Sequence, residues 1–380
     1  MAVKTETTNA ADALRTARRL VIKVGSATVS EAYAPRRSWL ASIGEDIAAL
    51  RKRGVDVVVV SSGAVALGRG RLGLKGPLRL EEKQAASSAG QTLLTEAWQT
   101  ALAPHDLTVA QILLTLDDTE DRRRYLNARA TLSALLDLGA VPLINENDTI
   151  ATAEIRYGDN DRLAAHVAQL IGADLLVILS DIDGLYATDP RVEPSAQHFS
   201  HIPHITPDIE AMAGAANASA GVGSGGMASK LAAAKLATGS GCATIIALGN
   251  VDAPMTAIEN GARATLFAAQ GEVTGARKQW IGGRLAPKGA LTVDQGAAAA
   301  VRKGASLLPA GVTQISGEFA RGDAVTISER GMGAPFAQGL VTYDADDLRR
   351  IAGRRSTDIE AMLGYRRRPA VVEASDLVLF

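Results

Sequence analysis

Short runs that are apolar at nearly every position recur through the first two thirds of the chain, at residues 20–24, 55–60, 108–114, 141–144, 174–179 and 243–248. Unbroken, β-branched runs of this length predict strands buried on both faces. Between them lie stretches with helical spacing, at 36–53, 81–103, 121–138, 161–171 and 227–238. Strand and helix in alternation predict an α/β fold, an open and mostly parallel sheet sandwiched by helices. Ligands of such sheets bind at the carboxyl ends of the strands, so the residues just after each run carry the interest. Residues 211–226, rich in Ala, Gly, Ser and Asn, predict a mobile loop.

The pattern changes after Trp280. Short strands with frequent glycines are predicted at 290–293, 311–317, 324–328 and 339–343, a small and mainly β module. The chain therefore divides into a flexible tail (1–18), an α/β domain (19–270), a linker (271–286), a β module (287–366) and a C-terminal extension (367–380). A length of 380 residues agrees with more than one domain.

Composition narrows the function. Lys+Arg 40 against Asp+Glu 41 leaves a formal charge of −1, so no overall basic field draws in nucleic acid or a membrane surface. Any anionic ligand is held by local groups. The single cysteine, Cys242, excludes a disulfide framework and cysteine-rich zinc sites, and reads as a buried thiol. No apolar run approaches the roughly 20 residues of a membrane span, and the polar start lacks the core of a signal peptide. The expected location is cytoplasmic, where the sequons at Asn147 and Asn217 carry no meaning. His201 and His204, separated by three positions around a proline, read as a surface loop.

Two segments match G-x-G-x-x-G, and both fail as dinucleotide fingerprints. The one at 68–73 follows a helix-like stretch instead of a strand, and the one at 221–226 has no strand feeding it. Met227 stands where a phosphate-binding Walker loop needs lysine. The segment GSGGMASK at 223–230 still has useful chemistry. Glycines admit close backbone approach, a helix beginning near Met227 offers free N–H groups, and Lys230 adds a full charge in the first turn.

Other strand ends carry similar groups. Lys23 lies inside the first apolar run and reads either as an edge lysine reaching solvent or as a buried one facing an anion. Ser61 and Ser62 follow the second run, as helix caps or as holders of a carboxylate. Asn145, Glu146, Asn147 and Asp148 follow the fourth. Asp159, Asn160 and Asp161 precede a helix as caps. Ser180 and Asp181 end the fifth run, and the Asp183–Tyr186 stretch is a turn or a support for a base and ribose. Taken together they predict an anion-handling active site.

IKVGS at 22–26, SSGAVALGR at 61–69, INENDTIATAEIRYGDNDRLAAHVA at 144–168, SDIDGLYATDPR at 180–191 and GSGGMASK at 223–230 resemble the glutamate 5-kinase (γ-glutamyl kinase) branch of the amino-acid kinase family. The stretch from about 287 to 365 resembles a PUA domain. The likeness runs over nearly everything from Arg19 onward, and the paired NEND and GDND segments are its specific part. It implies ATP-dependent phosphorylation of the L-glutamate side-chain carboxylate, the first step of proline synthesis, with proline as feedback inhibitor. It implies Lys23 and Lys230 on the transferring phosphate and Asp161 as the group that holds both lysines. Ser62, Asp148 and Asn160 would bind glutamate. Lys23, Gly25, Ser180, Asp181, Ser224, Gly225, Gly226, Met227, Ala228, Ser229 and Lys230 would line the ATP site. Mg²⁺ would be bound mainly through the ATP phosphates, with no direct protein ligand. A homo-oligomer, dimer or tetramer, and passage of the product to the following reductase are further implications. Ala27 departs from the Ser or Asn usual there, and Ser180 and Ser224 stand where Thr is common.

Two other readings compete. One is a kinase of the same fold acting on acetylglutamate, aspartate, carbamate or a nucleoside monophosphate. The other is an RNA-binding protein, since PUA domains often accompany RNA modification. From 281 to 380 there are 13 Arg+Lys and 11 Asp+Glu, a weak footprint for RNA, with Arg366, Arg367 and Arg368 as its only basic cluster.

Overall fold

Apolar runs unbroken by polar positions need cover on both faces, and the fold supplies it. In the computed structural model, residues 9–150, 159–219, 226–271, 286–365 and 368–380 are described. Two units separate, one of residues 1–120 with 128–273 and the other of 121–127 with 274–380.

The first unit is built on strands β1 (Arg19–Val24), β2 (Asp56–Ser61), β3 (Val109–Leu114), β4 (Val141–Glu146), β5 (Leu175–Ser180), β6 (His201–Ile202), β7 (Ala243–Leu248) and β8 (Ala264–Phe267). They form one sheet in the order β6-β8-β7-β5-β1-β2-β4-β3. The six strands from β7 to β3 are parallel, and β8 pairs antiparallel to β7 at one side. β1 lies in the middle, where Lys23 is opposite Val60 of β2 and Ile178 of β5. It is therefore not an edge lysine. β2 continues to one side of β1 and β5 returns on the other, a switch point that opens a crevice above the strand ends.

Helices α1 (Ala10–Thr16), α2 (Arg37–Lys52), α3 (Ala64–Arg71), α4 (Leu80–Leu102), α5 (Arg122–Asp137), α6 (Asp159–Ile171), α7 (Pro207–Ser219), α8 (Met227–Gly239) and α9 (Pro254–Glu259) surround the sheet. Trp39 of α2 and Trp98 of α4 meet edge-on in the core, with ring centroids 6.5 Å apart. Buried Asp46 of α2 caps α9, accepting from the amides of Met255 (2.8 Å) and Thr256 (3.2 Å), while burial holds its carboxyl above the usual range.

Helices α3 and α4 cross through Gly68 and Gly90. A methyl at Gly68 would overlap the Ala86 carbonyl oxygen, and one at Gly90 that of Ala64. This contact makes α3 a fixed wall above the end of β2.

Two expectations change in this unit. Residues 10–16, assigned to the loose tail, form α1, because Asn9 caps it (Asp12 N to Asn9 Oδ1, 2.9 Å) and Leu14 is fully buried in the core. The predicted loop at 211–226 is helical up to Ser219, since Ala and Met favour a helix once Thr206 and Asp208 open it. Residues 220–225 lie outside the described residues.

The second unit has a five-stranded sheet. Its strands are β9 (Gly289–Val293), β10 (Val312–Gly317), β11 (Ala324–Glu329), β12 (Pro335–Leu340) and β13 (Leu377–Leu379), ordered β10-β9-β11-β12-β13. The strand predicted at 339–343 is shifted to Pro335–Leu340 by its pairing with β11. The expected C-terminal extension belongs to this module: Val371 and Val372 are in its core and β13 pairs with β12. The linker expected at 271–286 falls almost wholly outside the described residues.

Candidate active site

Lys23 reaches upward from the centre of the sheet because its neighbours Ile22 and Val24 take the opposite face. α6 begins beside it and places Asp161 with no exposure at all. Lys23 Nζ is 2.5 Å from Asp161 Oδ1. Lys230, in the first turn of α8, brings Nζ to 3.5 Å from Asp161 Oδ2. Asp161 is thus a strut between two buried ammoniums, the place the family resemblance implies, although its local sequence context reads only as a helix cap. Two cations share one carboxylate, so the cluster keeps a net positive charge in a poorly solvated place. Burial drives the Lys230 pKa below the ordinary lysine value against the pull of Asp161, and Lys23 pushes it the same way. An anion brought there would relieve this strain.

A cavity of about 440 Å³ adjoins the cluster. Its lining includes Lys23, Ser62, Asn145, Glu146, Asp148 and Asn160 together with Tyr33, Arg69, Pro77, Leu78 and Lys83. Gly63, at φ +119°, makes the turn that brings Ser62 and α3 to the rim. Asn160 Nδ2 donates to Ser62 Oγ (2.7 Å) and to Asn145 Oδ1 (3.0 Å). Asp148, buried, accepts from Ser87 Oγ of α4 at 2.6 Å. The three residues assigned to the acceptor substrate therefore share one cavity, and Lys23 lines it with them.

The positions assigned to ATP are partly gathered. Gly25 is open: a Cβ there would meet nothing within 4 Å. Ser180 is buried and donates to Asp181 Oδ1 (3.1 Å), and the Asp181 charge acts on Lys230. Asp181 itself is exposed and has Arg191 at 3.6 Å. Gly226, Met227, Ala228 and Ser229 lead into Lys230 at the start of α8. Ser224 and Gly225 lie outside the described residues. Ala27 is exposed in a short turn of helix after Gly25. The stretch Asp183 to Tyr186 is a braced turn: Tyr186 Oη donates to Asp183 (2.7 Å) and Leu185 N to Thr265 Oγ1 (2.7 Å).

Among the described residues no three His, Cys, Asp or Glu gather as a metal-ligand group. His201 lies in β6, and His204 Nδ1 meets Gln270 at 2.5 Å. Cys242 is buried, and burial pushes its thiol far up. No described helix is long and apolar enough to cross a membrane.

The sequence alone assigns no role to Arg69, Lys83, Ser87 or Gln91. For the last three the signal was a polar stripe, Lys83, Ser87, Gln91 and Thr95, repeating every fourth residue on a helix that also has an exposed polar face through Glu81, Ser88, Thr92 and Glu96.

Residues 18–248 match the model of the amino acid kinase family, and 289–363 that of the PUA domain. The chain is 54% identical to a glutamate 5-kinase of Paramagnetospirillum magneticum over 96% of its own length and 99% of that protein's. It is 55% identical to glutamate 5-kinase 1 of Rhizobium meliloti, covering 98% and 94% of the two chains. With a glutamate 5-kinase of Caulobacter vibrioides the identity is 56%, covering 98% and 99%.

Proposed function

The chain belongs to the amino acid kinase family, among its glutamate 5-kinases, and on that premise we propose that the cavity beside Lys23 takes L-glutamate and the side of Lys230 takes the ATP phosphates. The reaction moves the γ-phosphoryl group onto the side-chain carboxylate and opens proline synthesis. The observation that carries this reading is the Lys23–Asp161–Lys230 cluster, whose Lys23 lines a cavity shared with Ser62, Asp148 and Asn160.

A carboxylate with a pKa of about 4.3 is already ionised near neutral pH, so the acceptor needs no general base. The obstacle is repulsion between anions, roughly 4 kcal/mol for unit charges about 4 Å apart at an effective dielectric of 20. Lys23 and Lys230 meet that repulsion, and Asp161 fixes where they stand. Mg²⁺ belongs with the nucleotide phosphates in this reading, since both Asp161 oxygens face lysine ammoniums. Once bound, it supplies further neutralisation of phosphate charge.

The test is ATP consumption with glutamate and hydroxylamine, trapping the acyl phosphate as hydroxamate. Glutamate should be strongly preferred to acetylglutamate, because acetylation removes the ammonium that buried Asp148 and Asn160 are placed to meet. Equal turnover of acetylglutamate would sink this assignment.

Proline carries the α-carboxylate and charged amino group of glutamate without a side-chain carboxylate to phosphorylate. It therefore fits the same Ser62, Asp148 and Asn160 groups as an unreactive occupant. Proline should raise the glutamate KM and make the curve more sigmoidal, and Asp148→Ala should weaken proline and glutamate together. Inhibition that high glutamate fails to relieve would place proline elsewhere. The segment at 151–157, expected to change shape with proline, lies outside the described residues.

A further inference from the structure

We propose that Gln91 is a positioning residue that sets the amide sense of Asn145 and Asn160, so that a carbonyl oxygen and not an NH₂ group meets the substrate ammonium. This deepens, and rests on, the assignment of the cavity to glutamate.

Thr95 has a fixed acceptor for its hydroxyl, a backbone carbonyl of its own helix. Thr95 Oγ1 lies 2.9 Å from the backbone carbonyl of Gln91 and 2.6 Å from Gln111 Oε1. A hydroxyl has one proton, and it goes to one of these acceptors. Toward the Gln91 side chain Thr95 then has only lone pairs, so Gln91 presents Nε2 to it, at 3.4 Å. The other end of the amide, Oε1, accepts from Asn145 Nδ2 at 2.9 Å. Asn145 must in turn show Oδ1 to Asn160, whose Nδ2 donates to it at 3.0 Å and to Ser62 Oγ at 2.7 Å. Both N–H groups of Asn160 are thereby used. Its Oδ1 is buried and has no hydrogen-bond partner.

A buried, unmade acceptor costs free energy unless a ligand completes it. Asn160 lines the cavity, and a primary ammonium is the donor that suits a bare carbonyl oxygen. Reversing the chain of amides would turn an NH₂ group toward the ammonium and repel it. Gln91 and Asn145 are both buried, and Gln91 sits on the long helix α4, so the relay is anchored outside the substrate-touching residues. Asp148 supplies charge attraction, while the relay supplies direction.

The experiment compares L-glutamate with glutarate, which has both carboxylates but no ammonium. Glutamate is followed through KM and kcat, and glutarate through its inhibition constant. Gln91→Leu frees Asn145 to reverse. It should raise the glutamate KM by about tenfold, the scale of one hydrogen bond to a charged group, with kcat held within about twofold. Glutarate inhibition should stay unchanged. Gln91→Glu keeps an acceptor toward Asn145 and should restore the parent KM. If Gln91→Leu does not fold, Thr95→Val, which removes the fixing hydroxyl, must give the same split. A Gln91→Leu enzyme with unchanged glutamate KM, or one that loses glutarate equally, overturns the relay. A parent chain that makes no hydroxamate from glutamate overturns the assignment underneath it instead.

Discussion

Alanine at Lys230 or Lys23 should lower kcat by about a hundredfold or more, the scale found when one preorganised charge-stabilising donor is removed, while glutamate KM changes little. Both ammoniums stand within reach of Asp161 in a place with little solvent, so neither is replaced by water without reorganisation. Their interaction with a phosphoryl group grows as charge moves in the transition state, which puts the loss in kcat. Arginine should rescue poorly at either position, because its planar fork does not fit where a compact charge is held. Asp161→Asn should be as damaging by a different route, leaving two buried ammoniums facing each other without a counter-charge. Unfolding midpoints measured alongside separate a dead site from a collapsed one. A folded Lys230→Ala enzyme with near-normal kcat would remove that lysine from the reaction.

The second large effect is on stability. Gly90→Ala should destabilise the protein by about 3 kcal/mol, the upper end for overpacking a core. The added methyl has no free space, since backbone atoms of α3 occupy it, and backbone does not swing aside as a side-chain tip does. The helices must part. As they part, the wall carrying Gly63, Ala64 and Arg69 moves off the cavity, so glutamate KM should rise as well. Gly239→Ala is the matched control, at a helix position with nothing within 4 Å of the new methyl, and should shift stability by no more than about 0.5 kcal/mol. Equal stability of the two variants would show that the crossing is more compliant than its geometry implies.

Much of this was legible beforehand, and for identifiable reasons. The run 20–24 announces a doubly covered strand by being apolar except at Lys23, and that exception is the residue facing the site. The residues of the NEND and GDND segments sit close in the chain, so local motifs disclose them. Ser87, Gln91 and Thr95 reach the site from a helix far away in sequence, and their polarity alone does not distinguish an inward stripe from a solvated face. Asp161 reads locally as a helix cap; the family resemblance implies its hold on both lysines, and the convergence of β1, α6 and α8 supplies the geometry. The last strand, β13, was hidden because three residues carry almost no periodicity, and its pairing with β12 is what makes it a strand. α1 was missed for a similar reason: seven residues with one core side chain look like a tail until a core is there to receive Leu14.

The place of β1 in the sheet has a consequence for how the enzyme fails when heated. Hydrogen bonds at the centre of a parallel sheet open only when the whole cooperative unit opens, whereas helix ends and rims fray separately. Lys23 rides on that central strand, paired on both sides, and Lys230 on the first turn of a helix. The two halves of the charge pair thus belong to different tiers of local stability. Lys23 keeps its position as long as the unit is folded at all. Lys230 can leave while the sheet is intact, so partial opening should disarm the proposed phosphate side first and leave the proposed glutamate cavity formed.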